Sequence, residues 1–261
     1  MTAERFFREA PLWSILLLLL LLMGASREVA AWARRREGRV ARAEGGASDE
    51  GYILTSVLGL LALLVAFSFG MALSSYEARR QLVVTEANAI GTAYLRAEVL
   101  DDPAKLQGLL LRYARARVVY GDLDRDAEAA ERDAERLQPQ IWAEGVRQVA
   151  PHRETPLAGF ILGPLGDAFD AAAARKAELG ARMPLVVLAT LSIYFIAAAT
   201  VLGYASARAE ARHRVASFAL FALFTLALGV ILDLDRPGGG LIGLPQGAMI
   251  DTVAIMRASA G

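Results

Sequence analysis

Cysteine is absent from all 261 residues. That removes disulfides, thiolate nucleophiles and cysteine-based metal sites together. Histidine is almost absent as well. His152 and His213 are the two present, far apart in sequence, and they read better as surface or interface residues than as ligands. Net charge is also lacking: 28 Lys+Arg stand against 28 Asp+Glu, so no global field points to a nucleic-acid partner. The chain has no G-x-x-x-x-G-K-[ST], G-x-S-x-G or H-E-x-x-H, which leaves phosphate-loop, esterase and zinc-protease chemistry without a carrier. No enzyme activity, cofactor or metal is expected. The acidic pairs Asp167/Asp170 and Asp233/Asp235 offer oxygens to a hard cation. For Asp233, Asp235 and Arg236, however, a salt-bridged helix cap at the membrane interface is the simpler reading.

What the chain has in abundance is apolar side chains. Hydrophobic residues make up 55% of it, yet 21% of residues are charged. The two classes must be segregated along the sequence, which is the pattern of membrane spans joined by solvated segments. The plainest span runs from Tyr52 to Tyr76, about 25 residues without a charge and long enough to cross with some tilt. A third span is expected over Met183–Ala205, and a fourth over Val215–Leu232, stopped by Asp233, Asp235, Arg236 and Pro237. The connection Ser206–Arg214 is short, so these two form an antiparallel hairpin. The first hydrophobic segment, Pro11–Ala25, is about 15 residues against the roughly 20 that crossing requires. It can be a span lengthened through Trp32, if Arg27 and Glu28 snorkel. It can also be a signal peptide with Arg5 and Arg8 ahead of the Leu run, or an interfacial helix.

Between the second and third spans lie about a hundred polar residues with helical rather than strand-like period. Glu77–Leu100 continues the second span without a breaker. Asp101-Asp102-Pro103 ends it, and a helix to about Tyr120 follows, with Leu106, Leu109, Leu110 and Tyr113 on one face. Asp122–Leu137 is laced with charge, including the i,i+4 pair Glu128/Arg132 and the i,i+3 pair Arg132/Glu135, and reads as a solvated helix. Pro139 and Pro151 punctuate, and a Gly-interrupted helix over Pro156–Arg182 leads to the third span. The expected fold is an all-α integral membrane protein with four transmembrane helices and a helical bundle inserted between the second and third. Its parts are residues 1–76 with the first two spans, 77–182 as the extramembrane bundle, 183–232 as the hairpin, and 233–261 as a C-terminal tail. Arginines near the membrane ends are almost equally divided between the two sides. The dense Arg34-Arg35-Arg36 cluster, taken alone, slightly favours its own side as cytoplasmic.

Three segments carry a family resemblance: the exit of the second span, Leu64 to Leu82; Glu86 to Arg96, reading EANAIGTAYLR; and Ile231 to Pro237, reading ILDLDRP. Together they resemble the bacterial bestrophin-like domain proteins, a family of unknown function distantly similar to the bestrophin anion channels. The likeness extends over roughly Gly51–Leu241. After Pro237 the chain departs from the family, with a Gly run and Pro245-Gln246-Gly247 in place of a polar, basic tail. The resemblance implies a multi-pass protein of the bacterial inner membrane and a homo-oligomeric ring in the lipid bilayer. It further implies a second span around a central pore for inorganic anions and a helical insertion forming a cytoplasmic vestibule, the reverse of what the Arg34–Arg36 cluster favours.

In such a pore, Ser56, Leu63, Phe67, Gly70 and Ser74 share one face of the second span. Leu63 and Phe67 would form a constriction that gates by dewetting. The plainer account packs Phe67 and Phe69 against spans one and four. Glu77, Arg79 and Arg80 are either vestibule residues or interfacial anchors. Glu86, Asn88 and Arg96, polar on an otherwise apolar helix, are expected to make intersubunit or interhelical hydrogen bonds. The competing function is a non-conducting membrane scaffold or sensor whose helical insertion binds a partner.

Overall fold

The computed structural model describes residues 10–37, 47–121, 126–152, 154–207, 211–238 and 241–259. Arg5, Arg8, the start of the charge-laced helix at Asp122, and most of the Gly run after Gly238 lie outside them. Eight α-helices are present among the described residues: α1 Leu12–Glu37, α2 Ala47–Ala97, α3 Ala104–Gly121, α4 Ala127–Val149, α5 Leu157–Gly180, α6 Leu185–Ala205, α7 Ala211–Asp235 and α8 Gly247–Ser259. A 3₁₀ turn at Ala150–His152 follows α4. Four stretches are long and apolar enough to cross a membrane, within Leu12–Arg36, Gly51–Ala97, Leu157–Ala205 and Arg214–Asp235. By their contacts the residues fall into two units, 1–74 with 182–236 and 75–181 with 237–261.

In the first unit α1 packs on α6 and α7. Its buried face is Ile15, Leu19, Met23, Arg27, Ala30 and Ala31, spaced by the helical repeat. The helix does not stop at Ala25: it is 26 residues long and carries Arg27 and Glu28 through as an ion pair. Close approach of the backbones makes this possible. A Cβ built on Gly203 would lie 2.3 Å from the Arg27 carbonyl oxygen, so α6 touches α1 main chain to main chain. Gly24 meets the Phe218 ring, and Gly229 the Leu16 side chain, at 3.3 and 3.0 Å from a built Cβ. Lipid tails give helices little hydrophobic reason to associate, and small residues let packing supply the attraction instead. Phe195 and Phe224 join α6 to α7 at 5.4 Å between ring centroids. At the end of α7, the Asp235 carboxylate accepts a hydrogen bond from the Met183 amide at 2.8 Å, and Arg182 donates to the Asp235 carbonyl at 3.3 Å. Arg236 donates to the Ala10 carbonyl at 2.7 Å. Asp233 and Asp235 are both buried. These bonds tie the end of α7 to Arg182, Met183 and Ala10.

The second unit is a helical bundle with an apolar centre. Ile90 and Tyr94 of α2, Leu106, Leu110 and Tyr113 of α3, Ile141 of α4, Leu165 of α5 and Met249 of α8 are buried there together. Two departures from the sequence reading occur in this unit. Pro139 does not punctuate but lies inside α4. A proline there removes one helical hydrogen bond, and the burial of Leu137 and Ile141 on either side holds the helix through it. The residues after Pro237 are no featureless tail, since α8 places Met249, Val253 and Met256 in the core. The Tyr94 hydroxyl secures it by donating to the Met256 carbonyl at 3.0 Å.

The Gly203 contact predicts a test. Gly203→Ala should lower the thermal midpoint of the purified protein, by the equivalent of ~1–3 kcal/mol of overpacking. Gly108→Ala on α3, where nothing lies within 4 Å of the added Cβ, should not lower the midpoint.

Candidate functional site

The pattern of exposure along α2 divides the helix into two faces. Leu61, Ser68, Ala72 and Arg79 are buried and recur on one side. Ser56, Leu63, Phe67, Gly70 and Ser74 lie opposite them, and all five are exposed. Phe67 is 64% and Phe69 40% exposed, so the chain does not bury these rings against its own spans. The face carries hydroxyls, a bare stretch of backbone and two large apolar side chains, with no charge.

Below it on the same helix the six polar candidates separate into different roles. Glu77 and Arg80 form an exposed ion pair at 3.3 Å. Arg79 is buried and donates to the Ala181 carbonyl at 2.8 Å and the Glu178 carbonyl at 3.3 Å. Its charge thus lies at the C-terminal end of α5, where the helix dipole favours a cation. Arg96 donates to the Phe160 carbonyl at 3.2 Å and lies over the Phe160 ring at 4.6 Å. Both arginines make interhelical contacts. Asn88 is exposed.

Glu86 has the most constrained environment. It is fully buried and takes two guanidiniums: Arg117 of α3 on both oxygens and Arg175 of α5 at 2.8 Å. Arg175 also donates to Gln246 Oε1 at 2.8 Å, and Gln246 Nε2 donates to the Gly121 and Leu244 carbonyls at 3.2 and 3.1 Å. Tyr120 lies beneath both guanidiniums, 4.3 Å from Arg117 and 5.6 Å from Arg175. Gly121 is required at its place, because a Cβ there would come within 2.1 Å of Gln246 and 2.6 Å of Arg175. Two cations face one carboxylate, and the ring and amide share the excess positive charge. The partners of Glu86 were not legible beforehand, since Arg117 and Arg175 look like ordinary helix-surface cations.

A second carboxylate that the sequence did not single out is Glu144 of α4. It is buried and receives Arg147, Lys105 at 2.9 Å and Gln148 at 3.1 Å. The Arg147 hydrogen bond, with lesser help from Lys105 and Gln148, holds its carboxyl down at about 2. Across α4 and α5, Lys176 reaches Glu131 at 2.6 Å and Glu135 at 2.9 Å, and these contacts raise its pKa. The charge-laced helix is thus partly interhelical. Its Glu128/Arg132 pair is present at 3.6 Å, whereas Glu135 turns to Lys176 rather than to Arg132.

The family model of the bestrophin-like domain matches residues 20–246. The chain belongs to the bestrophin-like family. The bestrophin-like fold is shared with a crystal structure of a bacterial bestrophin homologue from Klebsiella pneumoniae, a single-residue variant. That structure matches at TM-score 0.72 and 15% identity, over 95% of this chain and 97% of that one. A second structure of a bestrophin homologue from the same organism, phased on zinc, matches at TM-score 0.69 and 13% identity, over 94% and 97% of the two chains. No curated protein matches the chain. Among the described residues no cluster of His, Asp and Glu is arranged to hold a metal ion.

Two measurements check this bestrophin-like bundle. Glu86→Gln removes the one carboxylate facing two buried guanidiniums, and should cost ~3–5 kcal/mol, read as a large fall in the unfolding midpoint. For Glu144 the folded carboxyl lies below its ordinary value of about 4.3. Its stabilisation is therefore complete above that value and is lost as pH falls toward about 2. Thermal midpoints across this acid range should drop more for the unmodified protein than for Glu144→Gln.

Proposed function

We propose that the chain assembles as a homo-oligomeric ion channel of the bacterial inner membrane, selective for anions. The Ser56, Leu63, Phe67, Gly70 and Ser74 face of α2 would line its central pore. The observation that carries this reading is how little of α2 its own chain covers. Only 11% of its most apolar window is buried, against 28–39% for the other three candidate spans. The glycines agree. Gly24, Gly203 and Gly229, in the other spans, each meet a neighbouring helix, whereas Gly59 and Gly70 of α2 have nothing within 4 Å of a built Cβ. Small residues in spans serve close helix approach, and on α2 that capacity is unused within one copy. Further copies of the same chain supply the natural partner. Uncharged Leu63 and Phe67 then act as a hydrophobic constriction, with Ser56 and Ser74 offering hydroxyls to either side.

In the same reading, residues 77–182 form an extramembrane helical insertion on the cytoplasmic side, with the exposed Glu77/Arg80 pair and Asn88 facing its vestibule or the next subunit. The Arg34-Arg35-Arg36 cluster does not oppose this orientation. Arg34 stacks on Tyr204 at 4.3 Å, Arg35 donates to the Ala207 carbonyl at 2.9 Å, and Arg36 covers Trp32 at 3.8 Å. All three have a local structural use, so their number is a poor guide to sidedness.

Halide and potassium flux should be measured from liposomes holding the purified protein, beside Phe67→Ala. The expected result is halide flux exceeding potassium flux, with higher conduction or altered selectivity in Phe67→Ala. No flux from either protein, given a folded oligomer by native mass measurement, would reject the channel and leave a non-conducting scaffold or sensor.

A further inference from the structure

The bundle of residues 75–181 neutralises its arginines with unusual consistency. Of the described arginines from Arg79 to Arg175, Arg79 and Arg96 donate to main-chain carbonyls. Arg80, Arg117, Arg132, Arg136, Arg147 and Arg175 each pair with a carboxylate. Arg112 and Arg115 are the exceptions. They lie one turn apart on α3, both exposed, and neither has an ion-pair or hydrogen-bond partner among the described residues. Like charges one turn apart on a helix repel weakly.

Both arginines line the same cleft, a space of about 540 Å³ between α3 and α4. Small-molecule sites typically enclose ~300–1,000 Å³. Its apolar lining is Val119 of α3 and Leu137 of α4, with Ala116, Ala129 and Ala130. Arg136 adds a third guanidinium, held loosely by Asp133 at 3.6 Å. Asp126 and Asp133 also line the cleft, which makes it unsuited to a ligand with several negative charges along its length.

We propose that this cleft binds an organic anion: one carboxylate or phosphate head held by Arg112 and Arg115, on a compact apolar body covering Val119 and Leu137. The planar guanidinium forks match both head groups and can donate two parallel hydrogen bonds to either. The apolar lining accounts for the body. Simple halides would gain nothing from it, so this site differs in chemistry from a halide pathway and does not depend on whether the protein conducts.

The test is calorimetric titration of the full chain in nanodiscs of neutral lipid, with 2-naphthoate and 2-naphthyl phosphate as probes. Neutral 2-naphthol is the control, and empty nanodiscs are subtracted. The expected result is saturable binding of at least one anion, with naphthol about tenfold weaker or more. The preferred anion then identifies the head group. Arg112→Gln with Arg115→Gln should weaken anion binding by about tenfold or more while leaving the unfolding midpoint unchanged. Arg112→Lys with Arg115→Lys, which keeps the charge but loses the fork, should fall between. If the double Gln variant does not fold, Arg115→Gln alone serves, with a smaller loss in the same direction. Absence of saturable binding for both anions, or equal binding by the Gln variant, would overturn the proposal.

Discussion

The bundle is organised around the need to neutralise one buried carboxylate. Glu86 is surrounded by protein on a helix that is otherwise apolar on that side, and a charge left alone in such a place is costly. Arg117 and Arg175 supply the opposing charge, and in doing so they fix where α3 and α5 stand relative to α2. Arg175 then requires Gln246, Gln246 requires a glycine at position 121, and the segment ending in Gln246 delivers α8 to the core. Removing a partner from such an arrangement leaves a buried charge alone, a far larger penalty than the pair contributes when intact.

How much of this was legible depended on the range over which the information is carried. Uncharged runs such as Tyr52–Tyr76 and Met183–Ala205 identify themselves within about 25 residues, since lipid forbids alternatives. The first span was legible only in part. Arg27 and Glu28 looked like its end because the sequence does not reveal that they pair, nor that Gly203 lies against the Arg27 backbone. The partners of Glu86 are 31 and 89 residues away, and each, read locally, is one cation among many on a polar helix. The helix α8 did leave a signal in Met249, Val253 and Met256, spaced by four and three, but the preceding glycines and proline drew the reading toward a loop. The exposed face of α2 was visible as a helical stripe. Its lack of cover within the chain was not, because burial is a property of neighbours.

The two units follow opposite rules of assembly. In the first, small residues let neighbouring helices approach closely, most of all where Gly203 meets the Arg27 backbone, since lipid gives helices little hydrophobic reason to associate. In the second, which has an ordinary apolar core, leucine, isoleucine and tyrosine fill the centre, and charge is distributed in pairs across helix interfaces. Membership of the bestrophin-like family at 13–15% identity to structurally similar homologues is intelligible on these terms. A fold specified by span length, small-residue contacts and one buried ion cluster leaves most surface positions free to change.

The second unit is also discontinuous in sequence, with residues 75–181 completed by residues after 237. During synthesis the ribosome must therefore make both α6 and α7 before it makes Gln246 and α8. Until then Arg175 lacks its amide partner, and the pocket that takes Met249 and Met256 stays open to water. Completion of the bundle thus has to await synthesis of the two helices that interrupt it, so the nascent chain passes through a stage in which residues 75–181 lack their final helix.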